Sequence, residues 1–290
     1  MKWQHGTTWY RVVGDLQSGK TPVVLLHGGP GAAHNYISPI ADMIAQTGRA
    51  AVLYDQIGCG KSSHLPDAPK DFWRPELFME ELDLLTKHLK ISDNYVIIGQ
   101  SWGGMLGMQF AITQPSGLKA LVVADSPASM EVWVSEANKL RAQLPGQVQA
   151  TLLKHEADGT TEDPAYEAAV TVFNDRHVCR IPQPQCLIDS FAQIGDDPTV
   201  YHTMNGPSEF HVIGSLKNWD IRPDLNKIKI PTLLVSGQYD EATPDMVREI
   251  QTLIPGSFWE LFPESSHTPH LEEPARFKRI VSQWLDQNAG

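Results

Sequence analysis

Five continuous apolar runs, separated by helix-forming segments, constrain the fold of this 290-residue chain most strongly. They read VVLLH, AAVLYD, YVIIG, LKALVVAD and TLLVSG. Strands that are apolar at every position are buried on both faces, which is typical of a parallel sheet covered by helices on both sides. We therefore predict an α/β fold with a mostly parallel central sheet. We also expect the first two strands, in TTWYRVV and VVLLH, to form a hairpin.

The run YVIIG leads directly into the pattern G-x-S-x-G, which spans Gly99 to Gly103 with Ser101 at its centre. A helix-forming run, MLGMQFAI, follows. A strand, sharp turn and helix force the central residue into a strained backbone, and the glycines avoid collisions with the neighbouring strand or helix. Ser101 would lie at a helix N-terminus, which favours developing negative charge. We interpret Ser101 as a nucleophile, the alternative being a glycine-rich turn with a capping serine.

A serine nucleophile needs a base, and the base needs an acid that holds its tautomer. Asp240 ends the run TLLVSGQYD, and His267 lies in the loop after FWELF. The chain order Ser101, Asp240, His267 is the order expected of an α/β-hydrolase triad. Asp125, which ends LVVAD, is the alternative acid, whereas Asp55 more simply holds a neighbouring loop.

The segment HGGPG, from His27 to Gly31, immediately follows VVLLH and predicts an oxyanion hole. Its glycines let backbone N–H groups face a substrate oxygen, so the N–H groups of Gly29 and Trp102 are the expected donors. The alternative is a tight Gly-Pro turn needed only for packing.

The pattern changes between about residues 127 and 212, where strand signals vanish. Three segments there read as helices, namely EVWVSEANKLRAQL, PAYEAAVTVFNDRHV and CLIDSFAQI. We predict that residues 1–126 and 213–290 form an α/β-hydrolase core and that residues 127–212 form a helical cap. Such a cap would restrict the site to small substrates or chain ends.

The composition excludes several classes of partner. A net charge of −11 without a local Lys/Arg cluster argues against nucleic acid, although it would suit a cationic substrate. No apolar run approaches the ~18 residues that span a bilayer, and the N-terminus lacks an apolar signal core, so we expect a cytoplasmic protein without a membrane partner. The oligomeric state is not indicated.

The three cysteines and the histidines indicate neither a disulfide framework nor a metal site. Cys59, Cys179 and Cys186 suit a reducing compartment, although the last two, in CRIPQPQC, could pair if oxidised. His270 lies three residues beyond His267, but no third ligand has suitable spacing. We therefore expect no metal and no cofactor.

Six segments together resemble the proline iminopeptidase family of α/β-hydrolases over nearly the whole chain: HGGPG, YDQIGCGKS, GQSWGG, NGPSEF, GQYDEATP and SSH. Within that family, DNYVIIGQSWGGMLG and FHVIGSLKNWD most resemble the L-amino acid amidases, also called L-proline amide hydrolases, and next the tricorn-interacting aminopeptidases. The resemblance implies hydrolysis of an amide bond beside a free amino or imino terminus. The product would be proline or another small apolar L-amino acid.

The same resemblance implies three residues that bind the substrate amine. Glu209 in NGPSEF matches the cap acid of the family, Glu241 in YDEATP matches the acid after the triad aspartate, and Tyr201 matches a nearby tyrosine. Exposed surface carboxylates are the alternative for both glutamates. Two other functions stay open, a carboxylesterase on the same fold and a ligand-binding protein without turnover.

Four aromatic residues are candidates for the wall of an apolar substrate pocket. Core packing is the alternative role for at least half of them. They are Trp102, Trp133, Phe173 and Trp219.

Overall fold

The computed structural model describes residues 1–290. Its nine strands are β1 (Lys2–Trp3), β2 (Gly6–Thr7), β3 (Tyr10–Val13), β4 (Val23–Leu26), β5 (Ala51–Tyr54), β6 (Tyr95–Gln100), β7 (Leu118–Ala124), β8 (Thr232–Gly237) and β9 (Phe258–Phe262). Its eleven α-helices are α1 (Ser38–Ala45), α2 (Pro75–His88), α3 (Trp102–Ile112), α4 (Met130–Arg141), α5 (Gly146–Asp158), α6 (Pro164–His177), α7 (Gln185–Asp196), α8 (Thr199–Met204), α9 (Pro244–Leu253), α10 (Pro269–Glu272) and α11 (Pro274–Asn288). Short 3-10 helices lie at Asn35–Ile37, Lys70–Phe72, Ser215–Asn218 and Arg222–Lys227.

Seven strands form the central sheet in the order β3-β5-β4-β6-β7-β8-β9. Every pairing is parallel except that of β3 with β5. The prediction of an α/β-hydrolase fold with a mostly parallel sheet is therefore confirmed. The carboxyl ends of the parallel strands meet at one edge of the sheet, which is where open α/β sheets bind ligands.

The expected hairpin between the first two long strands is wrong, because β5 lies between β3 and β4. Strands β4 and β5 are buried at all four positions, which suits the interior of the sheet. Strand β3 is only partly buried and takes the edge, where Tyr10 pairs with Tyr54 and Val13 with Ala51. A separate two-residue antiparallel pair, β1 with β2, precedes it.

The sheet separates two hydrophobic clusters, one on each face. Alternate strand residues join opposite clusters, so that Val24 and Leu26 pack on one face whereas Val23 and Leu25 pack on the other. Burial on both faces explains why these strands are continuously apolar.

Helices α4 to α8 all lie between β7 and β8 and include a third, smaller cluster around Leu152, Tyr166 and Phe173. An isolated bridge between Ser129 and Asp220 is the only strand-like pairing in this part of the chain. The division of the chain at residues 127 and 212 stays a prediction. None of the helices combines the length and apolarity needed to cross a membrane.

Candidate active site

Ser101 occupies a sharp turn between β6 and α3, with φ 57° and ψ −124°. The flanking glycines are required by close backbone contacts. A Cβ on Gly99 would lie 2.2 Å from the carbonyl oxygen of Gly103, and one on Gly103 would lie 2.1 Å from the carbonyl oxygen of Leu26. The strand, turn and helix thus hold the Ser101 side chain at the carboxyl end of β6, where it lines a cavity.

His267 and Asp240 form a buried pair in which His267 Nδ1 lies 2.7 Å from Asp240 Oδ1. Asp240 Oδ1 also accepts a hydrogen bond of 2.9 Å from the N–H of Ala242, which fixes the carboxylate. Burial alone would lower the pKa of His267, but the charge and hydrogen bond of Asp240 raise it above its ordinary value. The ring is therefore held by its Nδ1 atom.

Ser101 and His267 line the same cavity, although no hydrogen bond joins the hydroxyl to the ring. The contact between a nucleophile and its base is often long without substrate and shortens only in the complex. The structure therefore brings the three predicted triad residues to one edge of the sheet.

Asp125, the alternative acid, is fully buried just after β7 with φ 56°. Burial, together with the neighbouring Asp240 carboxylate, raises the pKa of Asp125 well above its usual range. Neither Asp125 oxygen has a protein hydrogen-bond partner, nor does Asp240 Oδ2. These surroundings favour the neutral form of Asp125, and the carboxyl group that pairs with His267 is that of Asp240.

The HGGPG loop presents Gly29 to the cavity with φ 108°. The N–H of Gly28 donates to Tyr36 Oη at 2.7 Å, whereas the N–H of Gly29 has no protein acceptor. Trp102 is the first residue of α3, so its N–H has no partner within the helix. These two N–H groups are the predicted oxyanion donors.

Buried polar contacts hold the start of that loop. His27 Nε2 accepts a hydrogen bond of 3.0 Å from the N–H of Gln56, and its Nδ1 lies 2.9 Å from the carbonyl oxygen of Gly28. Burial lowers the pKa of His27 to about 4, so the ring is neutral at physiological pH and donates through Nδ1. Gln56 also accepts from the indole N–H of Trp102 at 2.8 Å, which links this loop to the turn at Ser101.

Two carboxyl groups, from Glu209 and Glu241, line the cavity that contains Ser101 and His267. Tyr201 donates a hydrogen bond of 2.7 Å to Glu209 Oε1. Glu241 is fully buried, neither of its oxygens has a hydrogen-bond partner, and Oε1 lies 3.7 Å from His267 Nε2. The structure thus brings the predicted amine-binding residues to the same place as the predicted triad.

Burial raises the pKa of both glutamates. For Glu241 the charges of Glu209 and Asp240 add to this effect and hold its pKa well above the usual range. A cation bound beside both carboxyl groups would favour their ionised forms and lower both pKa values.

Comparisons with known proteins show the family to which the chain belongs. A family model described as the alpha/beta hydrolase fold matches residues 21–274. A proline iminopeptidase of Clostridium botulinum is 36% identical over 285 residues, which cover 97% of this chain and 95% of that protein. The chain belongs to the proline iminopeptidase family of α/β-hydrolases.

Two crystal structures are also similar to this chain. That of proline iminopeptidase from Mycobacterium smegmatis has a TM-score of 0.90 and 48% identity, covering 97% of this chain and 95% of that one. That of the protein VinJ has a TM-score of 0.97 and 50% identity, covering 99% and 97% respectively. The chain is accordingly a hydrolase of the aminopeptidase type that this family name describes.

The apolar lining of this hydrolase's cavity differs from the aromatic wall considered from the sequence. The cavity has a volume of about 40 Å³. None of the four aromatic candidates, Trp102, Trp133, Phe173 and Trp219, lines it. The apolar lining comes mainly from Ala32, Val178, Leu187, Phe191 and Ile194.

The four aromatic residues have other surroundings. Phe173 is fully buried in the small cluster between β7 and β8, and Trp219 donates to Gln109 at 2.7 Å. Trp133 donates to the carbonyl oxygen of Glu209 at 2.6 Å, and its ring centroid lies 6.0 Å from that of His267. Trp133 therefore supports the site from outside the cavity.

The remaining candidates from the sequence have simpler roles. Asp55 accepts hydrogen bonds from the N–H groups of His34 and Lys61, so it holds a loop, as expected. Cys59, Cys179 and Cys186 are free thiols in this structure.

Sequence reasoning missed four polar residues that line the cavity, namely Tyr36, Gln100, Ser190 and Thr268. Gln100 is the first variable position of G-x-S-x-G, so its place in the motif marked it as close to the nucleophile. Tyr36 lies in the short 3-10 helix Asn35–Ile37, outside any motif, and only the folded chain brings it to the site.

Proposed function

We propose that the protein is a serine aminopeptidase and amidase that cleaves the amide bond next to a free amino or imino terminus. It releases proline or another small apolar L-amino acid from amino acid amides and short peptides. One observation carries the proposal: Glu209 and Glu241 line the same cavity as Ser101 and His267, and neither carboxyl oxygen of Glu241 has a hydrogen-bond partner. The name proline iminopeptidase, borne by relatives along nearly the whole chain, supports an N-terminal imino acid as substrate.

The reaction begins when Ser101 Oγ attacks the carbonyl carbon while His267 Nε2 accepts the hydroxyl proton. Asp240 holds the ring through Nδ1 and stabilises the imidazolium. The N–H groups of Gly29 and Trp102 bind the oxyanion, and removing one such donor typically costs roughly 3 kcal/mol of transition-state stabilisation.

The carbon–nitrogen bond then breaks as His267 returns the proton to the leaving nitrogen, because an amine leaves poorly without a proton. Water attacks the acyl-enzyme with His267 again as base, which frees the amino acid and regenerates Ser101. No cofactor is needed for these steps.

Amine recognition fixes the substrate for this attack. A free α-amino group has a pKa of about 8, so it is largely protonated at neutral pH and costly to bury without a counter-charge. Glu209 and Glu241 supply that counter-charge, and the ammonium in turn satisfies the oxygens of Glu241. Binding the amine and placing the carbonyl at Ser101 are therefore coupled.

A carboxylesterase is the main rival, because the same triad and oxyanion donors serve esters equally well. A simple ester without an amine would leave Glu209 and Glu241 unpaired in the cavity, which disfavours it. A ligand-binding role without turnover is disfavoured by the intact pairing of His267 with Asp240. The three free thiols suit a reducing compartment, and we propose the cytoplasm.

The test is a hydrolysis panel of L-prolinamide, other L-amino acid amides, proline-led dipeptides and simple uncharged esters. N-acetylation of the amide, Glu209→Gln and Glu241→Gln should each cost about 2 to 5 kcal/mol in kcat/KM, the range for breaking a desolvated charge pair. Ser101→Ala should abolish turnover of every substrate.

Uncharged esters should lose much less than amides in the two Gln variants, since they never use the pair. Glu167→Gln, at an exposed position on α6, is the matched control and should behave like the wild type. Equal cleavage of acetylated and free amides would refute amine recognition and favour the esterase.

A further inference from the structure

Gln100 makes two buried hydrogen bonds that join different parts of the site. It directly precedes Ser101, and its side chain is almost fully buried. Its Nε2 donates to the carbonyl oxygen of His267 at 2.8 Å, and its Oε1 accepts a hydrogen bond from the Tyr36 hydroxyl. One side chain thus connects the turn at Ser101 with the loop that carries His267.

Tyr36 extends this connection to the HGGPG loop and to α7. Its hydroxyl accepts the N–H of Gly28 at 2.7 Å. Its own N–H donates to Ser190 Oγ on α7 at 3.1 Å, and His270 Nε2 lies 3.1 Å from its carbonyl oxygen. The tyrosine is therefore fixed at its backbone as well as at its hydroxyl.

The directions of these hydrogen bonds are determined by chemistry. An N–H can only donate, so the Tyr36 hydroxyl accepts from Gly28 and must give its single proton to Gln100. Gln100 therefore turns its oxygen toward Tyr36 and its NH₂ group toward His267, where a carbonyl oxygen can only accept. Burial raises the pKa of Tyr36, which keeps the hydroxyl protonated.

Gly28 packs closely against the residues that make these contacts. A Cβ on Gly28 would lie 2.7 Å from Tyr36 Oη, 2.9 Å from the Cβ of Ser101 and 3.1 Å from Gln100 Oε1. The HGGPG loop, Tyr36, Gln100 and Ser101 are thus in direct contact, and a shift in one of them displaces the others.

We propose that Tyr36 and Gln100 act together as positioning residues that hold the HGGPG loop, Ser101 and His267 in their reactive arrangement. This inference rests on the serine mechanism proposed above. The pair also explains which loop N–H is free: Tyr36 occupies that of Gly28, so that of Gly29 is left for the oxyanion. Because a 1 Å misplacement can cost about 10²-fold in rate, the pair affects the rate more than binding.

The test compares Tyr36→Phe, Gln100→Met, the double variant and Gln100→Glu. Controls are Tyr10→Phe, whose hydroxyl forms a hydrogen bond with His88 on the surface, and Gln143→Met, whose exposed amide donates to the carbonyl oxygen of Lys139. Two quantities are measured: kcat and KM for L-prolinamide, and the rate of phosphonylation of Ser101 by a small uncharged fluorophosphonate.

Tyr36→Phe and Gln100→Met should each lower kcat and the phosphonylation rate on the order of 10- to 100-fold, with KM changed much less. The double variant should be no slower than the slower single variant, because residues that act as a unit are not additive. The two control variants should match the wild type.

Gln100→Glu tests the positioning role through the pH dependence of the phosphonylation rate, which a merely structural role would not change. When protonated, the introduced carboxyl can accept from Tyr36 and donate to the carbonyl oxygen of His267, whereas its ionised form cannot donate. The phosphonylation rate of this variant, divided by that of the wild type, should therefore be highest at low pH and fall as pH rises. Dividing by the wild-type rate removes the shared titration of His267.

The outcomes separate the two proposals. If the wild type is not phosphonylated at Ser101, the serine mechanism fails. If the wild type is labelled but Tyr36→Phe and Gln100→Met are labelled at the wild-type rate, or the Gln100→Glu ratio rises with pH, the positioning role is overturned while the mechanism stands.

Discussion

Asp240 and Asp125 follow neighbouring strands, β8 and β7, yet only Asp240 contacts a histidine. Asp240 pairs with His267 at 2.7 Å, whereas Asp125 is buried beside it without a donor. Two carboxylates in contact cannot both ionise cheaply, so the proton resides on the one that lacks a cationic partner. Asp125 in its neutral form has a proton to donate to Asp240, whose Oδ2 lacks any other partner.

We expect Asp240→Asn to lower kcat by roughly 10⁴, the typical cost of losing control of the histidine tautomer. Asp125→Asn should cost less than about tenfold, since an amide donates as a protonated carboxyl does and asparagine tolerates a positive φ. Steady-state kinetics with L-prolinamide measure kcat for both variants and show which aspartate is the triad acid. A reversed order of the two effects would make Asp125 the triad acid.

At this scale, sequence reasoning located the residues that end strands or lie within motifs. Ser101, Asp240 and His267 each follow an apolar strand, and parallel strands deliver their carboxyl ends to one edge. Tyr36 and Gln100 differ because their partners are distant in the chain, such as His267 for Gln100. Long-range hydrogen bonds leave no periodic trace in a sequence.

Among the elements, α7 supplies much of the apolar surface of the cavity. Leu187, Phe191 and Ile194 recur at i, i+4 and i+7, which places them on one face of the helix. Ile188 on the same helix is 44% exposed and faces away from the core. The helix thus has one apolar residue that faces the cavity, Phe191, and one that faces solvent, Ile188, which can be substituted as a test and its control.

Phe191→Ala should enlarge the cavity and raise the preference for amides with larger apolar groups over L-prolinamide. The expected change in the kcat/KM ratio is on the order of 10- to 100-fold, the usual range for apolar pocket contacts. Ile188→Ala should leave the ratio unchanged. An unchanged ratio for Phe191→Ala would exclude α7 as a determinant of substrate size.

The elements themselves were predictable where the pattern was strong. Continuous apolar runs gave β4 to β8, and the helices predicted from EVWVSEANKLRAQL and CLIDSFAQI correspond to α4 and α7. Helix α5 was missed because Leu152 is its only buried residue, so it has little apolar periodicity. The β3–β4 hairpin was wrong because strand order depends on which strands are buried on both faces, and chain proximity does not determine that.

At the scale of the whole molecule, a buried carboxyl group of the proposed substrate site lowers the free energy of unfolding as pH rises. Glu241 is fully buried without a hydrogen-bond partner, and burial, followed by the charges of Glu209 and Asp240, raises its pKa. A native carboxyl with a raised pKa binds more protons than its unfolded form, so the free energy of unfolding falls as pH rises above the ordinary value of 4.5. The decline continues until the native group ionises.

Glu241→Gln cannot lose a proton, so it should escape this decline. We expect the free energy of unfolding of the variant, minus that of the wild type, to grow as pH rises from 4.5 to 8, because only the wild type loses stability through this carboxyl group. Urea unfolding across this range measures the difference, in which titrating groups distant from Glu241 cancel. The exposed Glu167→Gln should show no such trend. A constant difference for Glu241→Gln would mean that Glu241 is already ionised in the empty site, its charge met by His267, 3.7 Å away.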